Sequence, residues 1–122
     1  MKTVFVASSR KYYADVREIK GRLDSAGVKG FYPYFDMPDE KITDEEKKKI
    51  TMRHFPELDE CDAIYVYAKD GYVGYSVTIE VAYAYAKGKE VYSSEPIKEL
   101  AVQAMVSRVM TPAEFVEYAS KS

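Results

Sequence analysis

Apolar and polar positions fall in blocks along this chain, and their period changes from block to block. Residues 2–7 (KTVFVA) form a short apolar run rich in β-branched and aromatic residues, the pattern of a buried strand. Tyr13, Val16, Ile19 and Leu23 then recur at three- and four-residue spacing as far as Gly27, which predicts an amphipathic helix with a glycine stop. Residues 29–34 (KGFYPY) read as a second strand, and Pro33, unable to donate to a ladder, belongs at an edge or at the strand's end. Residues 36–41 are polar, include a proline and read as a loop. Thr43 with Glu46 three positions on is a capping-box signal, so a charged helix is expected to run through EEKKKITMRH. Pro56 disfavours helical geometry at Phe55 and predicts a break or kink after His54, followed by a short second turn over 57–61.

The second half repeats the alternation. Residues 62–68 (DAIYVYA) predict a third strand, and 70–89 (DGYVGYSVTIEVAYAYAKGK) a glycine-bearing loop and a helix that Gly88 stops. Its apolar wall of Val77, Ile79, Val81, Ala82, Ala84 and Ala86 is interrupted by one carboxylate, Glu80. Residues 90–93 (EVYS) predict a fourth strand, 97–106 a helix and 108–110 a short fifth strand; Thr111, Pro112 and Glu114 then open a last helix to about Ser120. Strands alternating with helices imply an α/β three-layer sandwich with a parallel sheet, and right-handed crossovers leave few topologies open. The expected architecture is a single domain over residues 1–122 with a flavodoxin-like five-stranded sheet in the order 2-1-3-4-5. Ligands in such sheets sit beyond the carboxyl ends of the strands at the switch point, here between the first and third strands. That brings the turn at Ser8, Ser9 and Arg10 beside the loop at 70–76.

Composition narrows the field without naming a function. The chain has 122 residues and 47% hydrophobic content, ordinary for one globular domain. A net charge of −2 supplies no basic field for a phosphate polymer, so polymeric nucleic acid is not an expected partner, whereas a single nucleotide stays open. One cysteine, Cys61, excludes an intramolecular disulfide, and there is neither a CxxC pair nor a Cys/His cluster to bind a metal. No apolar run approaches the roughly 20 residues of a membrane span, and the N-terminal residues do not read as a secretion signal. A reducing cytoplasm is the expected compartment, with no membrane partner.

Candidate chemistry is confined to a few positions. Backbone amides, two hydroxyls and a guanidinium meet at Ser8, Ser9 and Arg10, a natural anion site; the plainer reading is a serine cap and a solvated arginine. Glu80 reads either as a lone acid aimed at a site or as part of a solvent-facing stripe with Ser76, Tyr83 and Lys87. His54 fits an acid/base role or a surface and capping role. Tyr65, Tyr67, Tyr72, Tyr75, Tyr83 and Tyr85 could stack on a base, although β-propensity and core packing account for most of them.

The run FVASSR before an amphipathic helix, the segment LDECDAIYVYA and the motif EVAYAYAKGK beginning at Glu80 resemble the nucleoside 2-deoxyribosyltransferase family, which includes deoxynucleoside 5′-monophosphate N-glycosidases. The resemblance covers nearly the whole chain in order and spacing. It implies a flavodoxin-like fold and cleavage of the N-glycosidic bond of 2′-deoxynucleosides or their 5′-monophosphates, with the deoxyribosyl group passed to water or to another base. It further implies that Glu80 is the nucleophile and that Ala7, Ser8, Ser9 and Arg10 correspond to the family's Gly-Ser-x-Arg phosphate loop, with Ala in place of Gly. Gly74, Tyr75 and Ser76 become candidate substrate contacts. Three helper positions depart from the family pattern. His54 stands where an Asp is usual, Gly74 stands where an Asp or Ser precedes the nucleophile, and Gln103 stands where a neighbouring subunit contributes a serine. Asp70 or Ser76 is the expected substitute for the second. No metal or organic cofactor is implied, and the implied assembly is a homodimer or larger, for which Leu100, Ala101, Ala104 and Met105 offer an apolar face. Two competing readings are a non-catalytic nucleotide-binding or signalling module and a glycosidase for another nucleotide.

Overall fold

The computed structural model describes residues 1–35 and 42–122, so the loop expected at 36–41 lies outside the described residues. Five strands, β1 (Val4–Ser8), β2 (Gly30–Phe31), β3 (Ala63–Tyr67), β4 (Glu90–Ser93) and β5 (Arg108–Val109), form one sheet in the order β2-β1-β3-β4-β5. Every pairing is parallel, and β1 lies centrally, with Val4 to Ser8 opposite Ala63 to Tyr67. The expected α/β architecture and strand order are therefore the observed ones.

The side-chain period of two in the central strands divides the core. Phe5 and Ala7 of β1 with Ile64 and Val66 of β3 face one way, packing with Leu58, Val77, Val81, Ala84 and Val102. Val4 and Val6 with Ala63 and Tyr65 face the other way, packing with Val16, Ile19, Leu23, Phe115 and Ala119. Helices α1 (Tyr13–Ser25) and α5 (Pro112–Lys121) thus cover one face, and α2 (Asp44–Asp59), α3 (Tyr75–Ala86) and the single turn α4 (Leu100–Gln103) cover the other. Capping boxes close the N-termini of α2, through Thr43 and Glu46, and of α5, through Thr111 and Glu114. Gly88 ends α3 in the left-handed region at φ 75°, where the Lys89 N–H reaches back to the Ala84 carbonyl.

Several boundaries differ from the sequence reading. The break expected at Pro56 is absent: α2 is continuous from Asp44 to Asp59 with the proline inside it. Pro56 removes the N–H that would bond the Met52 carbonyl, yet the helix runs on through it to Asp59. β2 shrinks from the expected six residues to Gly30–Phe31, a consequence of its edge position and of Pro33. The helix expected over 97–106 contracts to one turn, capped by the Glu99 side chain, which accepts from the Ala101 N–H at 3.0 Å.

Candidate active site

The loops that follow β1 and β3 flank a cavity of about 430 Å³, at the carboxyl ends of the strands where the topology switches. Ser8, Ser9 and Arg10 form one wall, Gly74, Tyr75 and Ser76 another, and Lys47, Thr51 and His54 of α2 a third; Glu80 lies among them. Eight of the nine candidate residues are thereby brought to one place. Asp70 is not: it lines a separate depression with Lys11, Tyr72 and Lys98, in a left-handed conformation at φ 58°, its N–H directed at Glu95.

Glu80 sits on the buried side of α3. The exposed stripe of that helix consists of Tyr75, Ile79, Ala82, Tyr85 and Ala86, so the solvent-facing stripe of Ser76, Glu80, Tyr83 and Lys87 does not exist as such, and Ile79, Ala82 and Ala86 leave the expected apolar wall. Nδ1 of His54 lies 2.5 Å from Oε2 of Glu80, with the two side chains 14% and 9% exposed. A surface or capping role for His54 is therefore replaced by a buried contact between α2 and α3. Two rings hold the imidazole: Phe5 meets it edge-on with centroids 5.3 Å apart, and Tyr34 stacks on it at 6.0 Å and 19°. Among the described residues Nε2 of His54 is buried without a hydrogen-bond partner. The proton of a neutral ring therefore belongs on Nδ1, where it can be donated to Glu80.

The turn after β1 has its own order. A 3₁₀ turn, Arg10–Tyr12, precedes α1, and Ser9 stands before it without making a side-chain cap, so the plain capping reading does not apply. Ser8 donates its hydroxyl proton to the Tyr67 carbonyl at 3.1 Å, tying β1 to β3 at the cavity wall. Across the mouth, the Lys47 ammonium donates to Ser76 Oγ at 3.1 Å and joins α2 to the first turn of α3.

Phe5, Tyr13, Tyr34, Lys47 and Phe55 also line the cavity, and sequence reasoning did not single them out. The tyrosines it did single out mostly serve elsewhere. Tyr65 stacks on Phe115 and donates to the Met110 carbonyl, Tyr67 donates to Asp15, and Tyr83 donates to Asp59. Only Tyr75 among them lines the cavity, and it is 93% exposed at the rim. The described residues contain no group of three or more side chains able to hold a metal ion and no helix long and apolar enough to cross a membrane.

This arrangement of sheet, switch point and cavity is the doubly wound α/β class of the flavodoxin type. No family profile and no curated protein matches the sequence. Solved structures do resemble the fold: a 2-deoxyribosyltransferase from the psychrotolerant bacterium Bacillus psychrosaccharolyticus, with a TM-score of 0.73 and 16% identity over 95% of this chain and 91% of that one. A conserved protein from Enterococcus faecalis V583 gives 0.66 and 14% over 99% and 98%. The CMP N-glycosidase of Clostridium botulinum gives 0.57 and 16% over 96% and 97%.

Proposed function

We propose that the chain cleaves the N-glycosidic bond of a 2′-deoxynucleoside or its 5′-monophosphate, with Glu80 as the nucleophile. The observation that carries this reading is the His54–Glu80 pair, buried in a cavity that the Ser8–Arg10 turn also lines. With Oε2 held by His54, the other carboxylate oxygen is available to C1′. It forms an ester bond there while the C1′–N bond breaks; the base leaves with the bonding electrons and takes a proton from solvent. Attack of water on C1′ then restores the carboxylate and returns that proton, the two-step logic of retaining glycosidases. A second base in place of water makes the same protein a transferase. Ser8, Ser9 and Arg10 serve as the cradle for the 5′-phosphate or sugar hydroxyls, Gly74 presses on C2′, and Tyr75 and Ser76 close the rim. Similarity in fold to a 2-deoxyribosyltransferase and to a CMP N-glycosidase supports the class of bond.

Incubation with a panel of ribo- and deoxyribonucleosides and their 5′-monophosphates, with and without a free acceptor base, tests the reading. Base release by wild type and its loss in Glu80→Gln is the expected result; equal release by the variant removes Glu80 as nucleophile. The non-catalytic alternative draws on Gly74 and on Asp70 lying outside the cavity. It predicts no release from any member, together with a nucleotide-dependent rise in melting temperature. We also propose a homo-oligomer, supported by the exposed stripe of α3 and by Leu100, 79% exposed; sedimentation as a monomer at assay concentration would exclude it.

A further inference from the structure

His54 is the single histidine of the chain, and its ring is held on several sides. Glu80 takes Nδ1, Phe5 covers one edge, and Tyr34 lies nearly parallel to the ring plane. Tyr34 is itself anchored at its far end: its hydroxyl accepts from Arg53 Nη1 at 3.2 Å and donates to Glu57 Oε2 at 3.4 Å. Arg53, His54 and Glu57 all belong to α2, with Arg53 and Glu57 four residues apart and therefore one above the other on the helix surface. The helix that carries the imidazole thus also carries both anchors of the plate that covers it. Only the plate comes from elsewhere, from the segment after β2, with Pro33 before it.

We propose that Tyr34 is a positioning residue: held by Arg53 and Glu57, it covers the imidazole of His54, keeps water from Nε2, and so holds the ring as the Nδ1–H tautomer directed at Glu80. The inference rests on the reading of the His54–Glu80 pair as the working centre, but its first test does not require turnover. Which ring nitrogen carries the proton follows from the bond the other one makes. A ring without the plate opens Nε2 to water as a competing partner and so weakens the preference for Nδ1–H that the Glu80 carboxylate sets. Burial pushes the Glu57 carboxyl above the ordinary carboxylate range, against the pull of His54, Tyr34 and Arg53, in keeping with a half-buried anchor.

Because there is one histidine, a long-range proton–nitrogen correlation spectrum of the ¹⁵N-labelled chain reports its ring without assignment. At alkaline pH the wild type is expected to show a protonated Nδ1 and an unprotonated Nε2. Tyr34→Leu is expected to move both signals towards the mixed tautomers of an exposed imidazole, and Tyr34→Phe, which keeps the plate but not its anchors, to fall between. A wild-type ring protonated on Nε2 overturns the proposal, as does a folded Tyr34→Leu with an unchanged spectrum; if that variant fails to fold, the wild-type and Tyr34→Phe spectra decide. In an assay with turnover, Tyr34→Leu should lower kcat about tenfold with KM little changed, and should cost nothing further in a His54→Ala background. Absence of turnover in the wild type defeats the glycosidase reading and leaves the spectral result standing.

Discussion

Nδ1 of His54 and Oε2 of Glu80 meet at 2.5 Å across the contact of α2 with α3, in a place from which solvent is nearly excluded. A carboxylate held by one oxygen in a low-dielectric wall is oriented before substrate arrives, and such preorganisation lowers the cost of reaching the transition state. Replacement of His54 by Ala should therefore reduce kcat for base release by about 10²-fold, with the fold kept, as judged by an unchanged far-ultraviolet dichroism spectrum.

Arg10 makes a separable prediction. If its guanidinium holds a 5′-phosphate, a charge-assisted bond of about 1.5–3 kcal/mol is lost in Arg10→Ala. KM for a 5′-monophosphate should then rise by about 10- to 100-fold while KM for the matching nucleoside hardly moves. Equal changes for both substrates would place the phosphate elsewhere.

Glu90 links stability to pH far from the cavity. Burial pushes its carboxyl up, but the Lys2 ammonium at 2.8 Å and the hydroxyls of Tyr118 and Tyr92 at 2.6 and 2.7 Å outweigh that and hold it below the ordinary range. A carboxyl depressed on folding contributes stability above its unfolded value of about 4.3, and that contribution is lost as pH falls through the folded value. Urea melts should accordingly find Glu90→Gln less stable than wild type at neutral pH, with the gap closing in acid. A gap that persists below the carboxylate range would assign the difference to packing.

Gly71 stands at φ 77°, and a Cβ added there would lie 2.7 Å from the Pro96 carbonyl oxygen. Left-handed backbone alone costs an L-residue about 1–2 kcal/mol, and backbone is what the new atom meets, so Gly71→Ala should lose more than that in a thermal or denaturant melt. Since the same loop leads to Gly74, Tyr75 and Ser76, the variant should also raise KM.

The sheet was legible because its evidence is local and redundant. Residues 2–7 and 62–68 show runs too short for helices and too apolar for exposed strands, and the helices that alternate with the strands have caps that the structure reproduces at Thr43, Thr111 and Gly88. The site was legible only in part. Glu80 stood out as an acid in an apolar helix, yet the pattern left open which face it takes, because α3 exposes Ile79 and Ala82 while burying the carboxylate. His54 was harder still, since proline chemistry argued for a break beside it and the helix instead runs on through Pro56. Tyr34 carried no signal at all: its partners Arg53 and Glu57 are about 20 residues away, and only the fold brings them together.

The working groups of the cavity hang on two different supports. The Ser8–Arg10 turn continues the central strand, pinned to β3 through the Tyr67 carbonyl, whereas His54 and Glu80 depend on how α2 and α3 settle over Leu58, Val77 and Val81. Repacking under those helices can re-aim the carboxylate while the Ser8–Arg10 turn stays still. Under the proposed reading, substrate grip and bond-breaking geometry are thus adjustable one at a time, and a lineage or a designer can retune the sugar that reacts without surrendering the group by which it is held.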